Sequence, residues 1–373
     1  MTDWKAFRAQ FPALEKQTWV NAAATSPLPL PVYEAARAHL DEVLESGDRR
    51  FGRWLEGMQQ TRELLAGVLG GAAGEIAFTS STSHSMNLVA ALLRAEGIAE
   101  AVTLATEFPA TTLPLLHHGV RLHFVEPDGG RYDPARIEAA IHAGVGALVV
   151  SHVQYALGCA VDLHELGAIA RRKGVRFVVN ATQSLGQRPV PAAAAGADFL
   201  VATGHKWLCA GFGAGMLWVR QERLEGARFP FAGWLSMRHP ERMDNRTLAY
   251  EPTARVAEMG TPAFDAPLRL GAALRLLGGV GFEAIHARIL SLTDELRAGL
   301  RRLGIQPLTP DDPAIRSGIT SFRVADPERF AQGLSERNVW ASVRSGAVRI
   351  SLHAYNDGAD VARVLDAVEQ LAR

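Results

Sequence analysis

A lysine, an asparagine, a run of hydroxyl residues and a lone arginine stand where short apolar runs of this sequence end. Lys206 closes Thr203-Gly204-His205-Lys206, directly after the apolar run Phe199 to Ala202 and before a glycine-rich turn. Desolvation lowers the pKa of a lysine, so an amine held in a tight apolar turn is a poor surface group and a good Schiff-base amine. Asn180 ends the β-rich run Arg176 to Val179, and Gln183 follows shortly after it. Ser80-Ser81-Thr82-Ser83 lies between a strand-like run, Glu75 to Thr79, and an apolar helical run, Leu88 to Leu93. Helix N-capping needs only one of those hydroxyls. The four together, with free N–H groups and a helix dipole, favour an anion such as phosphate. Arg349 sits inside the apolar run Val348-Arg349-Ile350-Ser351-Leu352, where a guanidinium is costly without an anion. A substrate carboxylate and a structural carboxylate both meet that need, and Arg344 is a second candidate nearby.

These residues need strands to place them. Short apolar runs at 75–79, 101–106, 121–125, 147–151, 176–179, 199–202 and 215–219 alternate mainly with helical periodicity. Seven strands in that order predict a doubly wound α/β core, with the chemistry at the carboxyl ends of its strands. Asp162 to Lys173 predicts an amphipathic helix closed by Gly174. Beyond Arg220 the pattern changes. Helices over 268–277 and 281–303 lead to strands near 318–324 and 348–351, a second, smaller α/β unit. The expected division is a large domain at 14–262 and a small one made of 1–13 and 263–373. The turn at 22–29 and the loop at 230–250 are expected to shape the pocket.

Asn180-Ala181-Thr182-Gln183-Ser184-Leu185-Gly186 and Thr203-Gly204-His205-Lys206-Trp207 together resemble the lysine-bearing segment of the class V aminotransferase family of pyridoxal-phosphate enzymes. That family includes cysteine desulfurases, kynureninase, isopenicillin-N epimerase-like proteins and C–S lyases. Glu258-Met259-Gly260-Thr261-Pro262 and the segment Val348 to Asn356 extend the resemblance. It implies fold type I, a large domain with a seven-stranded, mostly parallel sheet plus a smaller α/β C-terminal domain. It also implies pyridoxal 5'-phosphate on Lys206, which doubles as general base at Cα. Thr82, Ser83, Thr203 and His205 would serve the cofactor phosphate, Phe108 the ring face and Asn180 the ring nitrogen. Gln183 would reach the 3-oxygen, with Gln154 or Tyr155 as further candidates. Arg349 becomes the clamp for a substrate carboxylate, seconded by Arg344. Gly260 and Thr261 would reach the neighbouring subunit's cofactor phosphate, which implies a homodimer with a composite site.

The sequence departs from that pattern at three places. Asn180 stands where the family has an acid. A carboxylate there would raise the ring nitrogen's pKa, whereas an amide offers a hydrogen bond without charge and weakens the electron sink. Full transamination is then disfavoured relative to racemisation or elimination, and a cofactor-binding dimer with little catalysis is the extreme case. Phe108 stacks but cannot titrate, where many relatives have histidine. Only Ser345, Gly346, Ala347 and Val348 separate Arg344 from Arg349, with no cysteine to accept sulfur, which argues against cysteine desulfurase. An amino-acid or keto-acid substrate is expected, its identity open.

Composition narrows the alternatives. The 373 residues are 48% hydrophobic and 21% charged, with 39 basic against 39 acidic residues. Such a balance offers no field for nucleic acid or acidic membranes. Two cysteines exclude a disulfide framework, and twelve histidines without H-E-x-x-H spacing give no metal site. Gly211 to Gly215 leads into a strand rather than a helix, so it is not a dinucleotide fingerprint. With no signal-like N-terminus and no apolar run of membrane-spanning length, a cytoplasmic enzyme is expected.

Overall fold

Runs of four or five residues form the main sheet, and three of its strands, at 147–151, 199–203 and 215–219, are buried from end to end. The computed structural model describes residues 2–372. Its strands are β1 (Thr18–Trp19), β2 (Ile76–Thr79), β3 (Glu100–Leu104), β4 (Arg121–Val125), β5 (Ala147–Ser151), β6 (Arg176–Asn180), β7 (Phe199–Thr203), β8 (Gly215–Val219), β9 (Ile319–Phe322), β10 (Val339–Trp340), β11 (Ser342–Arg344) and β12 (Ala347–Ser351). The first helices are α1 (Trp4–Ala9), α2 (Leu30–Ser46), α3 (Phe51–Leu69), α4 (Thr82–Ala95), α5 (Pro109–His117) and α6 (Pro134–Ala140). They continue as α7 (Leu163–Lys173), α8 (Gln221–Leu224), α9 (Asp265–Val280), α10 (Phe282–Arg302), α11 (Pro327–Glu336) and α12 (Gly358–Ala372).

Seven strands make one sheet in the order β2-β8-β7-β6-β5-β3-β4. The expected mostly parallel sheet is present: β3 to β7 run parallel, and β8 runs antiparallel to both β7 and β2. Cores lie on both faces of this sheet, which is why its strands lack the alternation of a half-exposed sheet. The expected Gly174 cap of α7 forms with φ +67°, and Asp162, read as the first helical residue, is instead its N-cap, accepting from the His164 and Glu165 N–H groups. α5 carries two prolines, Pro109 and Pro114. Pro109 occupies the first helical turn, where no N–H is missed, and Pro114 is accommodated inside the helix.

The C-terminal unit is an antiparallel sheet, β11-β12-β9, over a separate core formed with α10, α11 and α12. Ser345 (φ +50°) and Gly346 (φ +70°) make a two-residue turn between β11 and β12, the left-handed pair of a tight hairpin. The two units are sewn together near residue 20: β1 pairs with β10, and the Ser351 N–H donates to the Val20 carbonyl. Among the described residues no helix is long and apolar enough to cross a membrane.

Glu258 anchors the turn that carries Gly260 and Thr261. One of its carboxylate oxygens accepts from the Phe78 N–H at 2.8 Å, and the other pairs with Arg62 of α3, whose guanidinium lies 4.7 Å from the Phe78 ring centroid. Both charged groups are nearly shielded from solvent. Removing the carboxylate strands a buried guanidinium, so Glu258→Ala is expected to lower the unfolding free energy by about 3–5 kcal/mol in urea denaturation. A loss under about 1 kcal/mol, the value of an exposed pair, would refute the assignment.

Candidate active site

The carboxyl ends of β5, β6 and β7 open onto one cavity of about 460 Å3. Ser151, Asn180 and Thr203, the last residues of those three strands, line it. The turn after β7 then delivers His205 and Lys206 to the same space, and the N-terminus of α4 brings Ser81, Thr82 and Ser83. Gly215, the first residue of β8, lies so close to that N-terminus that an added Cβ would stand 2.4 Å from the Ser81 nitrogen. The hydroxyl cluster is therefore held directly beside the lysine turn.

Lys206 is half-buried, and its pKa is pushed down to about 7, first by desolvation and then by Arg349 and Arg344. An amine whose pKa is brought down toward neutrality is a competent nucleophile. Its Nζ lies 5.5 Å from the centroid of Phe108, which stands edge-on to Tyr155 at 5.2 Å. His205 stacks on Phe212, its Nδ1 is 3.0 Å from the Thr203 hydroxyl, and burial followed by Lys206 drives its pKa to about 4. A neutral imidazole beside hydroxyls is a hydrogen-bonding group for an anion rather than a countercharge.

Arg349 is almost completely buried in β12. Its Nε donates to the Ser342 hydroxyl at 3.2 Å and its Nη1 to the Tyr155 carbonyl at 2.8 Å, while Nη2 is buried with no partner. Burial first, then Arg344, brings its pKa down to about 9. Among the described residues Arg349 bonds to no carboxylate, so the structural-carboxylate alternative finds no partner there. An unpaired guanidinium nitrogen in a cavity is a docking point for a carboxylate.

The structure brings Lys206, Thr82, Ser83, Phe108, Asn180, Gln183, Thr203, His205, Arg349 and Arg344 together around this one space. Gln183 is oriented there by donating to the Ala23 carbonyl and accepting from the Trp207 indole. Tyr155 lines the cavity, whereas Gln154 does not: its amide is engaged by Glu107, the Ser151 carbonyl and the Thr106 hydroxyl. Gly260 and Thr261 line a neighbouring depression with Phe212 and Gly213, outside the Lys206 cavity. Of the two segments expected to shape the pocket, the early turn does so through Ala23 and Ala24. The loop at 230–250 instead encloses a hollow of its own. Sequence reasoning missed Thr182, whose hydroxyl meets that of Thr82 at 2.7 Å, and Ser151, which reads as an ordinary strand terminus. Thr182 sits two residues past a strand end, the signal that found Asn180.

An amine of lowered pKa, a ring platform, an anion cradle at a helix N-terminus, a polar group from β6 and an orphaned guanidinium fit one occupant: an aldehyde-bearing phosphorylated heteroaromatic ring together with a carboxylate. Residues 18–364 match the family described as Aminotransferase class-V. A probable cysteine desulfurase of Methanothermobacter thermautotrophicus is 30% identical over 396 residues, covering 98% of this chain and 97% of that protein. An isopenicillin N epimerase of Amycolatopsis lactamdurans is 27% identical over 402 residues, covering 100% and 99%. The apo structure of the cysteine desulfurase from Thermococcus onnurineus NA1 superposes with a TM-score of 0.89 at 27% identity, covering 100% of this chain and 98% of that one.

The lowered pKa has a direct test. Labelling of Lys206 by an amine-selective reagent, read by mass spectrometry of its peptide, is expected to rise through about pH 7 and level off above it. Arg349→Gln removes a facing cation and is expected to move that midpoint upward. A midpoint in the range of a solvated lysine would refute the arrangement. The sign for stability follows: between about 7 and 10.5 the unfolded chain holds the proton that the folded one has lost, so this group's contribution improves as pH rises.

Proposed function

We propose, since the chain belongs to the class-V aminotransferase family, that it binds an α-amino acid or the matching keto acid through Arg349 and moves a proton at Cα with Lys206. Pyridoxal phosphate is the cofactor of this family. The observation that carries the reading is the shared cavity of a lysine with pKa about 7 and a buried guanidinium with an unpartnered Nη2. Thr82, Ser83, Thr203 and His205 would hold the phosphate, Phe108 the ring face and Gln183 the 3-oxygen. When bound, the cofactor supplies an aldehyde for the substrate amine and an electron sink for charge left at Cα. Arg349 fixes the substrate carboxylate, which orients the Cα–H bond toward Lys206. The depressed pKa keeps that amine free to accept the proton near neutrality.

Sulfur transfer is set apart from this reading, although several relatives carry desulfurase names. A persulfide-forming thiol must be mobile and ionised. The hairpin between Arg344 and Ala347 holds none, and Cys209 and Cys159 are buried, with burial raising their thiols to about 12 and about 11. Proton exchange or elimination at Cα is the second reading, favoured by Asn180: an amide at the ring nitrogen gives a weaker sink than the acid of its relatives.

A homodimer with a composite site forms part of the proposal. Supporting it are the exposed apolar residues Tyr33, Leu40 and Leu44 on α2, the exposed Phe212 and Trp234, and Gly260-Thr261 lying outside the chain's own lysine cavity. A cytoplasmic location is proposed with it.

The test is a panel of amino acids and keto acids followed by visible absorbance and by mass spectrometry of products. Lys206→Ala is expected to cut turnover by about 10^3-fold, within the range of a lost general base. Arg349→Ala is expected to raise KM for every substrate carrying a carboxylate. A persulfide on Cys159 or Cys209 after incubation with cysteine would overturn the exclusion of sulfur transfer. Absence of any reducible cofactor adduct on Lys206 would overturn the whole reading.

A further inference from the structure

Three side chains able to ligate a metal converge at the amino end of the main sheet. Glu100 is the first residue of β3, His123 lies in the middle of β4, and His142 stands two residues past α6. β3 and β4 pair in parallel with Glu100 opposite Arg121, and His123, two residues further on, shares the face of Arg121. Glu100 Oε2 lies 2.7 Å from His123 Nε2, and the His123 and His142 rings meet edge to face with centroids 4.7 Å apart. One ligand atom from each of the three lies within 4.8 Å of the others.

Backbone contacts bring His142 to this place. The segment that carries it leads into β5, and the Gly146 N–H donates to the Glu100 carbonyl at 2.9 Å. Gly144, at φ +100°, passes so close that an added Cβ would lie 3.6 Å from Glu100 Oε1. Outer partners orient two of the three ligands. His142 Nδ1 stands 2.9 Å from the Ala143 carbonyl, to which it can only donate, so in the neutral ring Nε2 keeps the lone pair that a metal needs. Arg121 pairs with the other carboxylate oxygen of Glu100. Its side chain is 69% exposed, so water and salt screen its repulsion of a bound cation.

We propose that Glu100, His123 and His142 form a site for a divalent transition ion such as zinc, with water completing the coordination on the exposed His142 side. Two imidazoles and one carboxylate are a donor set that zinc accepts, whereas calcium and magnesium call for oxygen ligands. Tetrahedral bonds of about 2.0–2.2 Å space the ligand atoms by about 3.4 Å. Glu100 and His123 then part slightly, and His142, exposed on its loop, closes in. The ligands come from three separate segments, which is why no short spacing in the sequence marked them. Strand register sets the site apart from the lysine cavity: Ala101 pairs with Ala147 at the start of β5, whereas Ser151 at its other end lines that cavity. A bound ion ties the segment entering β5 to β4, the edge strand of the sheet. The site is thus a clip on the fold, independent of the reading of the lysine cavity.

The test is calorimetric titration of the untagged, chelator-stripped full-length protein with zinc chloride, paired with thermal unfolding at rising zinc. The wild type is expected to bind one zinc ion per chain with a Kd in the micromolar range and to unfold at a higher temperature as zinc is added. His123→Gln and His142→Gln are each expected to weaken binding by at least about tenfold and to remove most of that rise. His117→Gln, in the adjacent-histidine pair at the end of α5, is expected to change neither. Full affinity in either of the first two variants would overturn the site, and so would an equal loss in His117→Gln, which would put the ion elsewhere. Absence of saturable binding to the wild type would overturn it outright, whether or not every variant folds.

Discussion

Three cations, Lys206, Arg344 and Arg349, face one cavity, and among the described residues that line it there is no aspartate or glutamate. That imbalance governs the site. Desolvation first, then repulsion between these cations, brings the lysine to about 7 and Arg349 to about 9, far from the values these groups hold in water. A fold carrying such a cluster is at ease only when anions enter it. The α4 N-terminus and the unpartnered Nη2 of Arg349 are the two places on the cavity's lining suited to an anion.

The architecture explains how such a cluster is tolerated. Parallel strands buried on both faces deliver polar residues only at their ends, so Ser151, Asn180 and Thr203 meet at one edge of an otherwise apolar sheet. Arg349 comes from a different sheet and reaches the Tyr155 carbonyl of the main unit. Arg349 therefore bridges the two units, which the β1–β10 pairing also joins.

Much of this was legible in the sequence. The seven strands were, because strands buried on both faces are continuous apolar runs. Lys206 and Arg349 were, because a cation inside such a run demands a reason. Glu107 was not: in Thr106-Glu107-Phe108-Pro109 it reads as a surface acid in a turn, and only the tertiary fold shows it enclosed by Ser151 and Gln154. The β11–β12 hairpin was also hidden, since three half-buried residues carry too little pattern to mark a strand. Gly260 and Thr261 gained meaning from family resemblance alone, for their own chemistry is that of any turn.

The reversal at Ser345 and Gly346 has a wider meaning. Two residues give no tether with which this hairpin could ferry an atom out of the cavity. Whatever fragment comes free inside must escape by diffusion, unescorted by that segment. The exposed ring of Phe212 on the cavity's lining then marks where it meets solvent, a matter of aperture rather than of any swinging arm.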